Sequence, residues 1–256
     1  MKLAEDQTAR PNASQTGAQA LLATLVGAGV DVCFTNPGTS EMHLVQAMDS
    51  VPAMRGVLAL FEGVATGAAD GYARIANRPA SVLLHLGPGL ANGLANLHNA
   101  RRAHSPVVCI VGAHATSHVR HDAPLHSDIE AAARTVSGWV HTAGDSRGLG
   151  RDAVRAIAAS RQGGGQVATL VVPADVSWNP GGQVAAGYPL VPPPPPPSSV
   201  VEAVAATLLA GEPSLLLLGG AGLSERGLRA ASRIAAATGA RLLAQTHPAR
   251  MEGGAG

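Results

Sequence analysis

Three consecutive segments decide the architecture: Val57-Leu-Ala-Leu-Phe61, then Glu62-Gly-Val-Ala-Thr-Gly-Ala-Ala-Asp-Gly-Tyr-Ala-Arg74, then Ala80-Ser-Val-Leu-Leu-His85. The first and third are apolar runs of strand length. The middle one is rich in small residues and free of proline, and is long enough for several helical turns. Strand, helix and strand in close succession make a βαβ unit, which implies parallel strands. Both runs are continuously apolar rather than alternating, as expected of a sheet covered on both faces.

The same rhythm extends outward. Thr16-Gly-Ala-Gln19 has the form of a capping box and predicts a helix over Gly17 to Gly27. Val30 to Thr35 reads as a strand stopped by Asn36-Pro37-Gly38, after which Thr39 or Ser40 caps a helix to about Asp49. Gly87-Pro-Gly89 reads as a turn into a helix ending near Arg102, and Pro106 to Val111 as a further strand. Helices near Ser127 to Val136 and Gly148 to Arg161 precede a strand at Val167 to Val172. The predicted fold class is α/β, a doubly wound parallel sheet.

Six consecutive prolines, Pro192 to Pro197, interrupt this pattern. Such a run is stiff and extended, and marks a domain boundary. The expected organisation is a tail over 1–14, a domain over 15–180, a proline-rich linker over 181–199 and the beginning of a second α/β domain over 200–256. The second part offers a helix near Val200 to Ala210, a strand at Ser214 to Leu218, a helix near Ser224 to Gly239 and a strand at Arg241 to Ala244. Two strands make a marginal sheet, so this part reads as cut before its sheet is finished.

Composition excludes several classes of chemistry. Only 14% of the 256 residues are charged against 46% hydrophobic, and the single lysine is Lys2. Schiff-base and P-loop chemistry, which need a placed lysine, are not expected. The net charge is +1 with no basic block, so no nucleic acid is expected as a partner. No apolar run reaches the length of a membrane span, and the first dozen residues lack the apolar core of a signal peptide; a cytoplasmic protein is the expectation. Cys33 and Cys109 lie inside apolar runs and read as small core hydrophobes. Gly222-Leu-Ser-Glu-Arg-Gly227 fails the dinucleotide fingerprint. His114, His118, His121 and His126 cluster, but a metal site would need them on one face with Asp122 or Asp128. Pro124 and the lack of helical periodicity make this a solvated loop, and no metal ligand is named.

Ligands in open α/β folds gather at the carboxyl ends of strands. Three turns fall there: Asn36 to Glu41, Phe61 to Gly63, and His85 to Gly89. Taken alone, Glu62 is a first-turn carboxylate that complements a helix dipole, and His85 is a hydrogen-bonded structural histidine. Together they carry a resemblance.

Glu62-Gly-Val-Ala-Thr-Gly-Ala-Ala-Asp-Gly-Tyr-Ala-Arg74 resembles the Glu-led helix of the thiamine-diphosphate-dependent decarboxylases and carboligases, a family that includes acetolactate synthase and benzoylformate decarboxylase. Asn36-Pro37-Gly38 resembles the loop before that helix. Gly87-Pro-Gly-Leu-Ala-Asn92 resembles the family's Gly-Pro-Gly turn and following helix, in the family's order. The resemblance implies that residues 15–180 are a pyrimidine-binding domain and that the chain from Ser198 opens a central domain. It implies thiamine diphosphate as cofactor, with Asn36, Pro37, Gly38, Glu62, Gly87 and Asn92 beside it and Glu62 exchanging a proton with N1′ of its aminopyrimidine. His85 would be a proton donor and acceptor and Thr39 a substrate contact, as in the benzoylformate decarboxylase branch. The substrate would be a 2-oxo acid, and the assembly a dimer or a dimer of dimers whose sites are shared between chains. In the family, Mg²⁺ holds the diphosphate at a Gly-Asp-Gly motif. The Gly144-Asp145-Ser146 found here lacks the second glycine, so Mg²⁺ is expected in a carboxyl-terminal domain outside these residues. FAD stays open, since its contacts in the family lie mainly in later regions. The alternative function is a non-catalytic cofactor-binding or regulatory subunit that pairs with a separate diphosphate-binding chain.

Overall fold

A computed structural model describes residues 15–187 and 194–253. The expected tail over 1–14 and the stretch 188–193 of the expected linker lie outside the described residues.

The first part is a six-stranded, all-parallel sheet. In chain order its strands are β1 (Val32–Asn36), β2 (Arg55–Leu58), β3 (Ala80–Leu84), β4 (Val107–Ala113), β5 (Trp139–Thr142) and β6 (Val167–Pro173). In space they run β2-β1-β3-β4-β6-β5. The chain steps from β1 to one side for β2, then returns to the other side for β3. The sheet therefore has its switch point between β1 and β3, where the connections leave in opposite directions and open a crevice.

Helices cover both faces. On one face α1 (Gly17–Gly27), α2 (Met42–Ser50), α6 (Leu149–Ser160) and α7 (Ala174–Trp178) close a core built around Leu21, Leu25, Leu44, Ile110, Leu149 and Leu170. On the other, α3 (Glu62–Ala76), α4 (Leu86–Arg102) and α5 (Ile129–Arg134) close a core around Val82, Leu84, Leu90, Leu97, Cys109 and Val111. Alternate residues of β3 and β4 feed the two cores, which is why these strands are apolar throughout. The ends of the layer meet: Thr16 bridges Pro180, and Gly182 N–H donates to Gln15 O at 2.8 Å.

Sequence expectation and structure differ at four places. Neither Thr39 nor Ser40 caps the helix before Asp49: both lie in a 3₁₀ turn over Thr39–Glu41, and Glu41 is the N-cap residue of α2. The second strand lies at Arg55–Leu58 rather than Val57 to Phe61. Its register against β1 pairs Val32 with Arg55 and Thr35 with Leu58, so Leu60 and Phe61 run past the ladder into the tip. Gly87-Pro-Gly89 is not a turn but the first turn of α4, where proline's missing N–H costs nothing. The reversal is instead made by Leu86, a non-glycine residue at φ +50°. Strand β5, a short edge strand, had no counterpart in the sequence reading.

After the prolines come α8 (Ser198–Leu209), β7 (Leu215–Leu218), α9 (Glu225–Thr238) and β8 (Arg241–Ala244), with β7 and β8 parallel. Ser224 caps α9 through Gly227 N–H, and Gly239 ends it at φ +72°.

Candidate active site at the switch point of the sheet

The crevice at the tips of β1 and β3 holds a buried carboxylate that the sequence reading passed over. Glu41 is fully buried, 0% exposed, at the end of a single 3₁₀ turn over Thr39–Glu41. Its Oε2 accepts from Gly38 N–H at 2.8 Å and lies 2.7 Å from His85 Nδ1; its Oε1 accepts from Ser40 Oγ at 2.7 Å. A buried charge persists when it is paired and hydrogen-bonded, and here the pairs come from both strand tips. The contact uses Nδ1 of His85 and leaves its Nε2 outside the pair.

Two glycines make room for this pair. A Cβ on Gly112, in β4, would overlap Glu41 Oε1. A Cβ on Gly38 would overlap the His85 ring. The glycine of Asn36-Pro37-Gly38 is thus required by the close approach of the His85 imidazole to the backbone.

Glu62 opens α3 with Phe61 as its N-cap, half-exposed at the mouth of the crevice. Its Oε2 accepts from Asn92 Nδ2 on α4 at 3.0 Å. Its Oε1 has no hydrogen-bond partner among the described residues. A methyl group on Gly89 would touch His85 Cβ at 3.3 Å and Glu62 Oε1 at 3.4 Å, so both side chains flank the same bare stretch of backbone. The small residues of α3 seat that helix against α4: Thr66 Oγ1 donates to Gly93 O at 3.2 Å, and Asn96 Nδ2 to Gly63 O at 2.6 Å. This contact fixes the Glu62–Asn92 spacing.

The structure thus brings together Gly38, Glu62, His85 and Asn92, with Asn36 and Pro37 half-buried at the β1 tip. Thr39 stands apart: it is exposed, and the hydroxyl near His85 Nδ1, at 3.3 Å, belongs to Ser40. Gly87 faces away from Glu62, against Ser127. The signal for Glu41 was present in the Gly38-x-x-Glu41 spacing, in which a carboxylate three residues on reaches back to a backbone N–H.

Around Glu62 the surface is apolar. Leu60 is 92% exposed, and Leu58, Phe61 and Val64, within four residues of it in the chain, are exposed as well. Among the described residues, no group of three or more His, Cys, Asp or Glu could hold a metal ion. Cys33 and Cys109 are free and buried, and burial pushes both thiols up to about 12.

Residues 15–132 match the family described as thiamine pyrophosphate enzyme, N-terminal TPP binding domain. They belong to it. Beyond this TPP binding domain, a Mycobacterium tuberculosis protein that carries the name of an acetolactate synthase large subunit, IlvX, is 62% identical over 240 residues, which cover 94% of this chain and 46% of the relative. Benzoylformate decarboxylase of Pseudomonas aeruginosa is 35% identical over 114 residues, 44% of this chain and 21% of that enzyme. The chain is related to both groups, and spans about half the length of the first of these relatives. A Rhodococcus jostii structure described as a thiamine diphosphate-dependent 4-hydroxybenzoylformate decarboxylase shares the fold at a TM-score of 0.83 and 22% identity, covering 91% of this chain and 45% of that one. Among the described residues, no helix is long and apolar enough to cross a membrane.

Proposed function

We propose that this chain is the pyrimidine-binding half of a thiamine-diphosphate-dependent enzyme that decarboxylates 2-oxo acids or joins them to a second carbonyl compound. The observation that carries the proposal is the Glu62 carboxyl at the switch-point crevice, oriented by Asn92 on one oxygen and open on the other. The donor set suits the cofactor's aminopyrimidine: Oε1 of Glu62, without a partner among the described residues, could hydrogen-bond a ring nitrogen, and Gly89 brings no side chain between Glu62 and His85. When bound, thiamine diphosphate supplies the nucleophilic carbon and the electron sink.

With the cofactor bound, Glu62 would hold a proton at Oε1 and pass it to or take it from a ring nitrogen. His85, oriented through Nδ1 by Glu41, offers Nε2 to accept or return a proton at the substrate, and Ser40 flanks it at 3.3 Å from Nδ1; Thr39, exposed and apart from the ring, is the proposed substrate contact. Asn36, Pro37 and Gly38 would form the backbone edge of the cofactor site, whereas Gly87, turned toward Ser127, lies off it. Mg²⁺ and the diphosphate belong to a second half. The apolar rim around Glu62 supports a homo-oligomer, a dimer or a dimer of dimers, that shelters the site. Free buried thiols fit a reducing, cytoplasmic setting. We assign 15–180 to the first domain, 181–199 to the linker and 200–256 to the start of the second. The match over 94% of the chain runs well past the TPP binding domain, which favours the enzyme over a non-catalytic subunit built on that domain alone.

The test supplies a diphosphate-binding half, in cis or in trans, and follows exchange of the bound cofactor's C2 proton. Glu62→Gln should slow it by about 10²–10⁴-fold, the usual contribution of a placed acid or base. Exchange at the wild-type rate would remove the assignment.

A further inference from the structure

The two nitrogens of an imidazole differ in role, and the partner at one decides what the other can do. In His85 they have opposite surroundings. Nδ1 points inward, 2.7 Å from Glu41 Oε2 and 3.3 Å from Ser40 Oγ. Among the described residues, the buried side-chain atoms left without a hydrogen bond are Ser105 Oγ and His114 Nε2. His85 Nε2 has no partner there either and is not among these buried atoms, so it meets solvent. The side chain is 20% exposed, and Nε2 belongs to the part it shows to the crevice.

Counting donors places the hydrogen of the inner contact. Glu41 Oε2 accepts from Gly38 N–H at 2.8 Å, and Oε1 accepts from Ser40 Oγ at 2.7 Å. A backbone N–H can only donate, and the Ser40 hydroxyl has one hydrogen, which goes to Oε1. Ser40 Oγ therefore faces Nδ1 with a lone pair, and Glu41 faces it with an oxygen that already accepts. Both neighbours of Nδ1 are acceptors, and one hydrogen on Nδ1 serves them together. The reverse placement, with the hydrogen on Glu41, sets the lone pairs of Nδ1 and Ser40 Oγ against each other at 3.3 Å. The backbone reserves the space for this pair: a Cβ on Gly38 would overlap the His85 ring, and a Cβ on Gly112 would overlap Glu41 Oε1. Glu41 is 0% exposed, so solvent does not compete for its oxygens.

We propose that Glu41 is a positioning residue: it keeps the hydrogen of His85 on Nδ1 and turns the lone pair of Nε2 to the crevice. His85 thereby enters the reaction as a proton acceptor. An N–H bond forms at Nε2 with the proton of a hydroxyl or water in the crevice, whose electron pair stays on its oxygen. The same N–H bond breaks when the proton is returned, and Nδ1–H is unchanged throughout. The imidazolium formed in between lies against Glu41 in a charge-assisted hydrogen bond. This rests on the 2-oxo acid reading above for the molecule that exchanges the proton, and adds the form in which His85 meets it.

The experiment records long-range proton–nitrogen NMR spectra of the 256-residue chain, with its histidines labelled with nitrogen-15, at about pH 8, above the ordinary histidine range. A ring nitrogen that carries hydrogen resonates far from one that does not. His85→Asn assigns the His85 signals, and His98, exposed on α4, reports a solvated ring and an intact fold. His85 should read as hydrogen on Nδ1 and a bare Nε2. Glu41→Leu should lose that pattern and bring His85 to the averaged pattern of His98. Glu41→Gln, whose amide oxygen still accepts from Nδ1, should retain it. Glu41→Asp, which draws the oxygen back by one carbon–carbon bond, should lose most of it, and decides the matter where Glu41→Leu fails to fold. Hydrogen on Nε2 or an averaged pattern in the native chain, an unchanged pattern in Glu41→Leu or Glu41→Asp, or a loss in Glu41→Gln equal to that in Glu41→Leu would each overturn the proposal. The measurement needs no cofactor, so failure here overturns the Glu41 assignment alone, whereas an unchanged exchange rate in Glu62→Gln overturns the cofactor reading alone.

Discussion

The six-stranded layer and the two-stranded unit after the prolines are written in the same alternation of strand and helix, yet they bury it differently. Strand β4 is buried over six of its seven residues, while β8 is exposed at all four. Helix α1 buries seven of eleven residues and α8, of similar length, none. Leu215 and Leu217 in β7 and Leu242 and Leu243 in β8 face solvent, and an apolar groove runs between α8 and α9. A parallel strand becomes an interior only when strands flank it and helices cover both faces. Periodicity specifies which residues could be buried; the number of neighbouring strands decides whether they are.

The largest expected effect tests that burial chemically. Both cysteines lie in the six-stranded sheet, with thiols pushed up to about 12. At pH 8 the thiolate is the reactive form, so native Cys33 and Cys109 should react with Ellman's reagent about a thousandfold more slowly than an ordinary thiol. Both should titrate at once in guanidinium. Fast reaction of either in the native protein would break the picture of a closed layer.

Next come paired truncations. Leu170→Ala, in β6 at 0% exposure, should cost about 2–5 kcal/mol in urea unfolding. Leu217→Ala, at 67% exposure, should cost under about 0.5 kcal/mol. Equal costs would show that the second unit has a core these residues do not reveal.

Glycines give a finer contrast. Gly112→Ala drives a methyl group into the Glu41 carboxyl and should lose about 1–3 kcal/mol while shifting the His85 ring resonances. Gly222→Ala, after β7, meets only Leu218 at 3.9 Å and should change stability by less than about 0.5 kcal/mol. Unshifted His85 resonances in Gly112→Ala would mean that β4 does not seat Glu41.

The smallest effect is a pH dependence confined to the first layer. The folded-state pKa of His114 is lowered, so between that value and the ordinary histidine range the unfolded chain binds the extra proton. Stability should therefore be fully present above about pH 6.5, the unfolded-state value, and decline as pH falls below it, flattening under the folded-state pKa. His114→Gln should remove that component from denaturation curves at a series of pH values.

Legibility followed the range of the interactions. Helix α1 was fully readable because its start is local: Thr16 N–H donates to Gln19 Oε1 at 3.0 Å, and Gln19 N–H to Thr16 Oγ1 at 3.3 Å. Strand β5 was not, since Trp139-Val-His-Thr142 is half-polar and becomes a strand only because β6 lies beside it. Strand β2 slipped by two residues because its bounds are set by pairing with β1, not by where its apolar run ends. In the site, Glu62 was legible from its place between an apolar run and a small-residue helix. Glu41 was obscured because a buried carboxylate and an exposed one look alike in a sequence.

The sequence by itself determined the α/β alternation, the proline break and the carboxyl-end position of Asn36, Glu62 and His85, because these depend on neighbours a few residues away. The tertiary structure decided that Glu41 pairs with His85 across 44 residues, that Ser40 rather than Thr39 turns its hydroxyl toward that ring, and that His114 Nε2 is buried without a partner among the described residues. Those outcomes follow from β1, β3 and β4 lying side by side, an arrangement fixed by the packing of two helical layers on one sheet.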